Sequence, residues 1–305
     1  MPENTMREGL TRVSDLAVQA REVDFVTRFT RNWEALSEIL GIMRPVRKAP
    51  GSTLTAYTAG VELESGDVGE GEEIPYSRAT LTPSASHELT LRKYAKAVSI
   101  EAVERYGADL AVQKTDEALL SELQGTVLNE FYSFLLTGSL TGTETTFQMA
   151  VAMAAGRVVD RFKRMRRDAS RVVVFVNTLD AYRYLGGQPL SVQSAFGVQY
   201  VRDFMGAQAV VLSSEIPEGK VVAVPADNLV LYYVDPGDAE FRRLGLVYTV
   251  AGDTNLIGFH ADGDYRTAVG ECYALMGMTL WAEFQDGIAV VTIDGGEEEG
   301  EDEGE

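Results

Sequence analysis

The chain has 305 residues, of which 45% are hydrophobic, and a net charge of −19. This length allows one large domain or two modest ones, and the apolar content excludes disorder of the whole chain. No apolar run approaches the roughly 18 residues that a membrane-spanning helix needs, and the N-terminus lacks the basic start and apolar core of a signal peptide. Because the single Cys272 cannot form an internal disulfide, we expect a soluble cytoplasmic protein with no membrane partner.

The negative charge is concentrated at the C-terminus, where the last twelve residues hold eight acids. Without those eight charges the net charge of −19 becomes −11, so the surface should repel nucleic acid. We interpret residues 294–305 as a disordered, solubilising tail, with docking of a partner as the alternative. The one basic stretch, residues 157–171, also contains Asp160 and Asp168. We interpret it as an exposed, partly ion-paired helix face, with a phosphate or acidic-partner site as the alternative.

Residues 1–50 are predicted to form a helical arm. Its apolar residues recur in steps of three and four, the period of one helix face, and Gly41 supplies a stop. The stripe is too short to bury itself, so it must pack on the body of its own chain or on a neighbouring chain. It consists of Phe25, Phe29, Trp33, Leu36 and Leu40.

Residues 51–98 are predicted to form a long β-hairpin whose strands are the β-rich runs 51–64 and 88–98. Between the strands lies an acidic, glycine-rich tip, with six acids and no base in residues 62–73. This charge argues against a phosphate-binding loop. Because an isolated two-stranded hairpin is marginally stable in water, the segment needs a partner surface.

Residues 99–137 carry the strongest helical pattern. Ser99 is placed to cap a short helix that Gly107 ends. From about Asp109 to Thr137, apolar residues again recur in steps of three and four, which predicts a helix of roughly 28 residues and about 42 Å. We expect this helix to be a spine on which other elements lie.

Residues 145–262 alternate between helix and strand and predict a compact α/β unit. An amphipathic helix begins near Phe147, and Asn177 caps a short helix that follows a buried strand. The strands are expected at residues 172–176, 209–212, 221–224 and 229–234.

Residues 266–293 are predicted to form two further strands. An alternating strand includes Cys272 and continues to Ala282, and Asp286 and Gly287 form a hairpin turn. Residues 288–293 are the return strand.

The chain offers few reactive groups. We expect His87 to be exposed and His260 to lie in a polar turn, where Asp262 and Asp264 give only a weak calcium pattern. Cys272 is interpreted as a buried packing residue. Because no metal, nucleophile or nucleotide motif occurs, we predict no enzymatic activity, no catalytic residues, no cofactor and no metal.

The order of these segments resembles the major capsid proteins of tailed phages with the Hong Kong 97-type fold. The resemblance spans roughly residues 20–293, and its specificity comes from the collinear order of the segments. The segments that carry it are FVTRFTRNWEALSEILGIMRPVRKAPGSTLTAY (25–57), GEGEEIPYSRAT (69–80), LTLRKYAKAVSIEAVERYG (89–107), TDEALLSELQ (115–124), VVVFVNTLDAYRYLG (172–186), NLVLYYVD (228–235), LIGFHADGDY (256–265) and LWAEFQDGIAVVTI (280–293).

The resemblance implies an α+β fold with five parts. These are an N-terminal arm (1–50), an extended loop (51–98), a peripheral domain with the spine helix (99–144 and 263–293), an α/β axial domain (145–262) and the acidic tail (294–305).

It also implies a structural role in a virion. The chain would be a coat protein that self-assembles into pentamers and hexamers of an icosahedral head around double-stranded DNA, without sequence-specific DNA binding. Assembly would occur in the bacterial cytoplasm with many copies of itself, a portal and a head maturation protease. Because no long scaffolding segment precedes the arm, a separate scaffolding protein is expected.

The sequence departs from the type member of this family, which cross-links its shell through a lysine of the extended loop. No lysine lies between Lys48 and Lys93, so we predict no such isopeptide bond. We expect contacts between subunits to come from the arm and the loop. The expected assembly residues are Phe25, Phe29, Trp33, Leu36, Glu70, Glu72, Glu73, Arg78, Arg92 and Lys93.

Two other functions stay open. An encapsulin-type shell of a bacterial compartment has the same fold but needs a groove for cargo peptides, and no motif for one is visible. A soluble α/β enzyme would have to explain the poorly placed histidines and the arm and loop that cannot bury themselves.

Overall fold

Helices and strands alternate along the computed structural model of the chain, which describes residues 13–40, 45–169, 171–186, 192–195, 198–250 and 255–294. The predictions on the first residues, on Gly41 and on the tail 295–305 lie outside these ranges. The helices are α1 (Val13–Leu40), α2 (Ile100–Tyr106), α3 (Lys114–Leu135), α4 (Phe147–Arg164), α5 (Thr178–Leu185) and α6 (Ala239–Arg243). No helix in the described ranges is long and apolar enough to cross a membrane.

In the part of the chain that the structure describes, fifteen strands are distributed over four sheets. The strands are β1 (Val46–Arg47), β2 (Thr53–Glu62), β3 (Arg78–Glu88), β4 (Arg92–Ser99), β5 (Leu140–Glu144), β6 (Val172–Asn177), β7 (Gln193–Ala195), β8 (Val198–Phe204), β9 (Ala207–Ser213), β10 (Lys220–Pro225), β11 (Leu229–Tyr233), β12 (Ile257–Asp264), β13 (Val269–Met276), β14 (Met278–Ala282) and β15 (Ala289–Ile293).

The largest sheet has seven strands in the order β5-β15-β10-β6-β9-β8-β7. Every residue of β6 is buried, because helices cover one face of the sheet and the main core covers the other. Alternate residues point to opposite faces: Val174 packs with α4, whereas Val173 and Phe175 join the main core. The predicted strands of this α/β unit, the helix that begins at Phe147 and the Asn177 cap are confirmed.

The short helix and the spine are present, but the spine differs in its first turns. Ser99 caps α2 and Gly107 ends it with a φ of 81°, as predicted. Residues 109–113 then form a π-helical turn, so the regular helix α3 has 22 residues instead of about 28. This turn joins α2 to α3.

The hairpin uses a different second strand from the predicted one. β2 pairs with β3, whereas β4, part of the run 88–98, pairs with β13 in the three-stranded sheet β12-β13-β4. Leu89 marks the division: it is fully buried, and its N–H and C=O bond to Ser52 and Gly51 at the base of the hairpin. The register skips one residue beside Pro83, which has no N–H for the ladder.

The predicted C-terminal hairpin is also wrong. The alternating run breaks at Gly277, where an added Cβ would lie 3.0 Å from the side chain of Val234. β13 stays with β12 and β4, while β14 pairs with β11 in the sheet β1-β11-β14. Asp286 and Gly287 lie in a short 3₁₀ turn, after which β15 enters the seven-stranded sheet between β5 and β10.

This pairing cuts across the segment boundaries implied by the resemblance. β15 was assigned with the spine helix, but it shares a sheet with the segment 145–262. β12 spans the boundary at residues 262 and 263 and pairs along its whole length with β13. The division into peripheral and axial domains therefore stays a prediction.

Candidate assembly surface

The hairpin β2–β3 ends in residues 63–77, which form neither helix nor strand. Several large apolar side chains are exposed here: Tyr76 is 92% exposed, Leu63 72% and Ile74 69%. Val61 and Leu81 on the adjoining strands are also exposed. Several exposed apolar side chains on one projecting ribbon are typical of a surface that binds a partner.

The acidic tip has a defined turn. The N–H of Gly69 donates to Oε2 of Glu72 at 2.8 Å, and the N–H of Glu72 donates to the carbonyl of Gly69 at 3.1 Å. Gly71 has a φ of 86°, a conformation that favours glycine. Glu72 thus helps to hold the turn, whereas the exposed Glu70 and Glu73 remain available for contacts outside the chain.

The base of the hairpin is anchored to the body by stacked rings. His87 stacks on Trp281 with the ring centroids 5.6 Å apart, and Trp281 stacks on Phe134 of α3 at 3.8 Å. The N–H of Tyr57 donates to the carbonyl of Glu283 at 2.7 Å. The hairpin therefore projects from a fixed base.

His87 is thus half-buried, and the prediction that it is exposed is wrong. Burial against Trp281, together with the nearby charge of Arg92, lowers the pKa of His87 below its ordinary value of 6.5, although Glu88 opposes this shift. Its Nε2 is buried and has no hydrogen-bond partner among the described residues. The neutral imidazole fits this site better than the charged one.

The arm stripe lies in the core of its own chain. Phe25, Phe29, Trp33 and Leu36 are each at most 4% exposed, and the ring of Phe25 stacks on Phe259 of β12 at 4.2 Å. Our expectation that these four side chains contact a neighbouring subunit is therefore corrected. The body of the chain already supplies the apolar surface that they need, mainly from β12 and α3.

A partly buried ionic group holds α1 against the spine. Asp116 of α3 accepts hydrogen bonds from Nε of Arg21 at 2.6 Å and from Nζ of Lys96 at 2.5 Å. Burial alone would raise the pKa of Asp116, but these two cations hold it below its ordinary value. Burial raises the pKa of the nearby Cys272 thiol, which fits the predicted packing role of Cys272.

A second polar contact lies one residue further along α1. Oε1 of the buried Glu22 accepts a hydrogen bond from the N–H of Ala261 at 2.6 Å and lies 3.3 Å from Nδ1 of His260. Thr249 donates its hydroxyl hydrogen to the other oxygen of Glu22. His260 lies within β12, so its predicted place in a polar turn is wrong.

The cations expected at the assembly surface divide into two kinds. Arg78 starts β3 opposite Glu62, and Lys93 lies on β4; both are exposed. Arg92 instead forms an ion pair with Glu130 of α3. Arg92 therefore serves its own chain, while an assembly contact of the exposed Arg78 and Lys93 stays a prediction.

The described residues contain no group of three His, Cys, Asp or Glu side chains that could hold a metal ion. Asp264 accepts from the N–H of Arg266 and from the hydroxyl of Thr267, both at 2.8 Å, in the turn that follows β12. The basic stretch is partly ion-paired, as predicted. Its pairs are Arg161 with Asp286, Arg164 with Asp160 and Arg171 with Asp227.

No protein-family model matches the sequence, and no curated protein matches it. A chain in the mature capsid of bacteriophage PhiM1 is similar in structure, with a TM-score of 0.51 and 9% identity over 82% of this chain and 84% of that chain. A structure from Mycobacterium phage Patience has a TM-score of 0.49 and 11% identity over 97% and 96% of the two chains. A virus-like particle from Pyrococcus furiosus has a TM-score of 0.48 and 12% identity over 89% and 99%.

The likeness to the PhiM1 chain covers most of both chains and concerns the fold alone, because the identity is low. It agrees with the fold class that the order of the sequence segments predicts. The chain has the fold of a phage capsid subunit, the Hong Kong 97-type fold.

Proposed function

We propose that the chain is a structural shell protein, the major coat protein of a tailed-phage head. The observation that carries this proposal is the projecting hairpin with its uncovered apolar residues, on a fold shared with a phage capsid subunit. A strand of ten residues spans roughly 30 Å at about 3.4 Å per residue, so the ribbon can cross onto a neighbouring subunit.

The apolar and charged parts of the ribbon have different roles in this proposal. Tyr76, Ile74 and Leu63 lose their contact with water when they pack on a neighbour, which supplies affinity. Glu70 and Glu73 lie at the tip. Their charges would repel acidic surfaces and attract basic side chains of a neighbouring subunit, and so would set the position of the ribbon on that subunit. Closed symmetric assembly then repeats these contacts many times.

In more detail, we propose a head in which pentamers and hexamers of the chain enclose double-stranded DNA. A separate scaffolding protein, a portal and a maturation protease would take part, and assembly would occur in the bacterial cytoplasm before the virion is released. The chain would act without catalysis and without a lysine-mediated cross-link.

Negative-stain electron microscopy of the chain, expressed alone and with its neighbouring genes, tests this proposal. We expect round shells tens of nanometres across in at least the second sample. Shells that contain a packaged enzyme instead of DNA would favour an encapsulin, and the absence of shells from both samples would contradict the proposal.

A matched pair of variants tests whether the exposed apolar residues of the hairpin make the contact between subunits. Tyr76→Asp places a charge on the apolar ribbon and should abolish shells while the circular dichroism spectrum of the monomer stays unchanged. Tyr76→Phe keeps the ring and should assemble normally. Normal shells from Tyr76→Asp would show that the ribbon does not make the contact.

A further inference from the structure

A second group of exposed apolar side chains lies where α6 ends. They are Leu244 (76% exposed), Val247 (64%) and Leu246 (44%). The turn that carries them is well defined, because the N–H of Leu246 donates to the carbonyl of Phe241 at 3.0 Å and Gly245 takes a φ of 77°, the geometry of a Schellman helix end. An open groove of about 930 Å³ lies between this turn and residues 47–50. We call residues 242–247 together with Lys48 the α6 patch.

The α6 patch keeps positive charge. The basic side chains around the groove exceed the acids by one: the bases are Arg47, Lys48, Arg242 and Arg243, and the acids are Asp235, Asp238 and Glu240. The acids are taken up by Arg47 and Arg243. In the part of the chain that the structure describes, no carboxylate lies within ion-pair distance of Arg242 or Lys48. On a chain with a net charge of −19, this is an unusual surface.

The hairpin tip has the complementary properties. Residues 62–73 hold six acids and no base, and Leu63, Ile74 and Tyr76 are exposed beside them. Apolar side chains on both surfaces would leave water on contact, and the opposite charges would align them. The basic residues at the end of α4 fit the tip less well, because residues 160–171 show no exposed large apolar side chain among those described.

The tip cannot reach the α6 patch of its own chain. The patch adjoins the base of the hairpin, where Phe241 packs against the cluster that contains Leu54 and Leu89. β2 has ten residues, all paired with β3, so extended strands of roughly 30 Å separate the tip from the base. A tip that occupies the patch must therefore belong to a second copy of the chain.

We propose that the hairpin tip of one copy docks on the α6 patch of the next copy, with Tyr76 in the groove beside Lys48. This contact rests on the proposed shell function and names the surface that receives the ribbon. Tip and patch are different surfaces of one chain, so the contact is heterologous: each copy donates one tip and receives one. Contacts of this kind close into rings when the rotation between copies divides a full turn.

Thiol cross-linking of full-length chains tests the contact, because the one native cysteine, Cys272, is buried. Ser77→Cys marks the tip and Ala49→Cys marks the groove, and both replace a small exposed side chain. When the two variants are coexpressed, a short bismaleimide should join them into a heterodimer, whereas each variant alone should give little product. A chain with both substitutions should give a ladder of oligomers. An equal yield of Ser77→Cys with Ala152→Cys, an exposed site on α4, would overturn the proposal.

Charge reversal on the patch separates a specific contact from chance encounters. Lys48→Glu with Arg242→Glu in the groove-marked chain should lower the yield of heterodimer about fivefold or more. Arg105→Glu with Arg266→Glu, the same charge change at exposed sites elsewhere, should leave the yield unchanged. Circular dichroism checks that both double variants fold. Equal yields in the two double variants would overturn the proposal.

A compensating change in the tip gives a gain of function. Glu70→Lys with Glu73→Lys in the tip-marked chain should restore the cross-link to the reversed patch and weaken the cross-link to the native patch. If the altered tip preferred the native patch, the proposed charge pairing would be wrong.

Electron microscopy of the same samples distinguishes this contact from the shell function on which it rests. Shells that contain the cross-linked product would support both. Shells without the product would overturn docking on the α6 patch and leave the shell function standing. Cross-linked rings or filaments with no shell in any sample would support the contact and contradict the coat-protein proposal, and the absence of both product and shells would overturn both.

Discussion

The arm helix α1 and the hairpin β2–β3 pose the same problem in the sequence and reach opposite solutions in the fold. Each is too short to bury its own apolar residues. The body of the chain covers the stripe of α1 completely, whereas residues 63–77 of the hairpin stay exposed. An apolar segment that cannot bury itself therefore does not by itself indicate a contact with another subunit.

Buried polar partners distinguish the two regions. Arg21 and Glu22 of α1 are held by Asp116, by the N–H of Ala261 and by Thr249, which lie far away in sequence. Among the described residues, the hydrogen bonds of the tip stay within the tip, as between Gly69 and Glu72. Contacts that the body provides make α1 part of the fold, whereas the described residues of the tip show no such contact with the body.

The largest expected effect concerns the buried apolar stripe of α1. Trp33→Asp should destabilise the folded chain by roughly 3–5 kcal/mol or more, because it removes a buried aromatic ring and buries a charge. Chemical denaturation measures this, with Val23→Asp on the exposed side of α1 as control, expected within about 0.5 kcal/mol of wild type. If the Trp33→Asp monomer stayed stable and only shell formation were lost, the stripe would instead contact a neighbouring subunit.

The ionic group at Asp116 should have the next largest effect. Asp116→Asn removes charge-assisted hydrogen bonds to Arg21 and Lys96 and should cost about 2–3 kcal/mol in the free energy of unfolding. Glu117→Gln, on the exposed side of the same helix, should change it little.

The pH profile sharpens this test. Because the folded pKa of Asp116 lies below its ordinary value of 3.8, its stabilisation is present above that value and is lost as the pH falls through the folded pKa. Asp116→Asn should therefore lose less stability than wild type on acidification in this range. The same acid loss in both proteins would exclude Asp116 as its source.

A smaller effect concerns the anchor of the hairpin. The pKa of His87 is lowered in the fold, so its neutral form stabilises the base above pH 6.5, and this contribution is lost as the pH falls through the folded pKa. The protection of the Leu89 and Tyr57 N–H groups, taken as the intrinsic hydrogen-exchange rate at each pH divided by the observed rate, should fall on acidification below pH 6.5. His87→Phe, which keeps a ring against Trp281, should remove that pH dependence. If the pH dependence persisted in this variant, a group other than His87 would be its cause.

The smallest effect is expected at the tip itself. Gly71→Ala forces a side chain into a φ of 86°, which costs about 1 kcal/mol locally. Because the described tip has few contacts with the body, we expect faster exchange in residues 63–77 and no change in the melting temperature. Gly66→Ala, where nothing lies within 4 Å of an added Cβ, is the control. A lower melting temperature for Gly71→Ala would show that the tip is coupled to the body.

The sequence predicts elements whose signals are local. Ser99, Asn177 and the valines of β6 act within a few residues, so the cap positions and the central strand are confirmed. β3 was missed because its alternation is weak: Ala79 and Leu81 alternate with Thr80 and Thr82, but Leu81 is the one large aliphatic side chain of the strand, and it is exposed.

The sequence contains no local signal for the pairing of strands that lie far apart along the chain. Asp286 and Gly287 do form a turn, yet β14 and β15 belong to different sheets because their partners lie far away along the chain. Glu22 and Ala261 are 239 residues apart, and nothing local in the sequence points to their contact. At the candidate surface, the acidic tip was predicted because it depends on composition alone, whereas the burial of the arm depends on β12.

The position of β15 has a consequence for synthesis of the chain. β15 is the last strand that the structure describes, yet it lies inside the largest sheet, and β5 pairs with no other described strand. Leu140 pairs with Ala289, so each residue of β5 leaves the ribosome about 150 residues before its partner in β15. The sheet cannot close until translation has passed residue 293, so a chain that terminates early lacks a complete body from which to present its hairpin. A chain that ends before residue 289 therefore leaves β5 without its strand partner and leaves one edge of β10 unpaired.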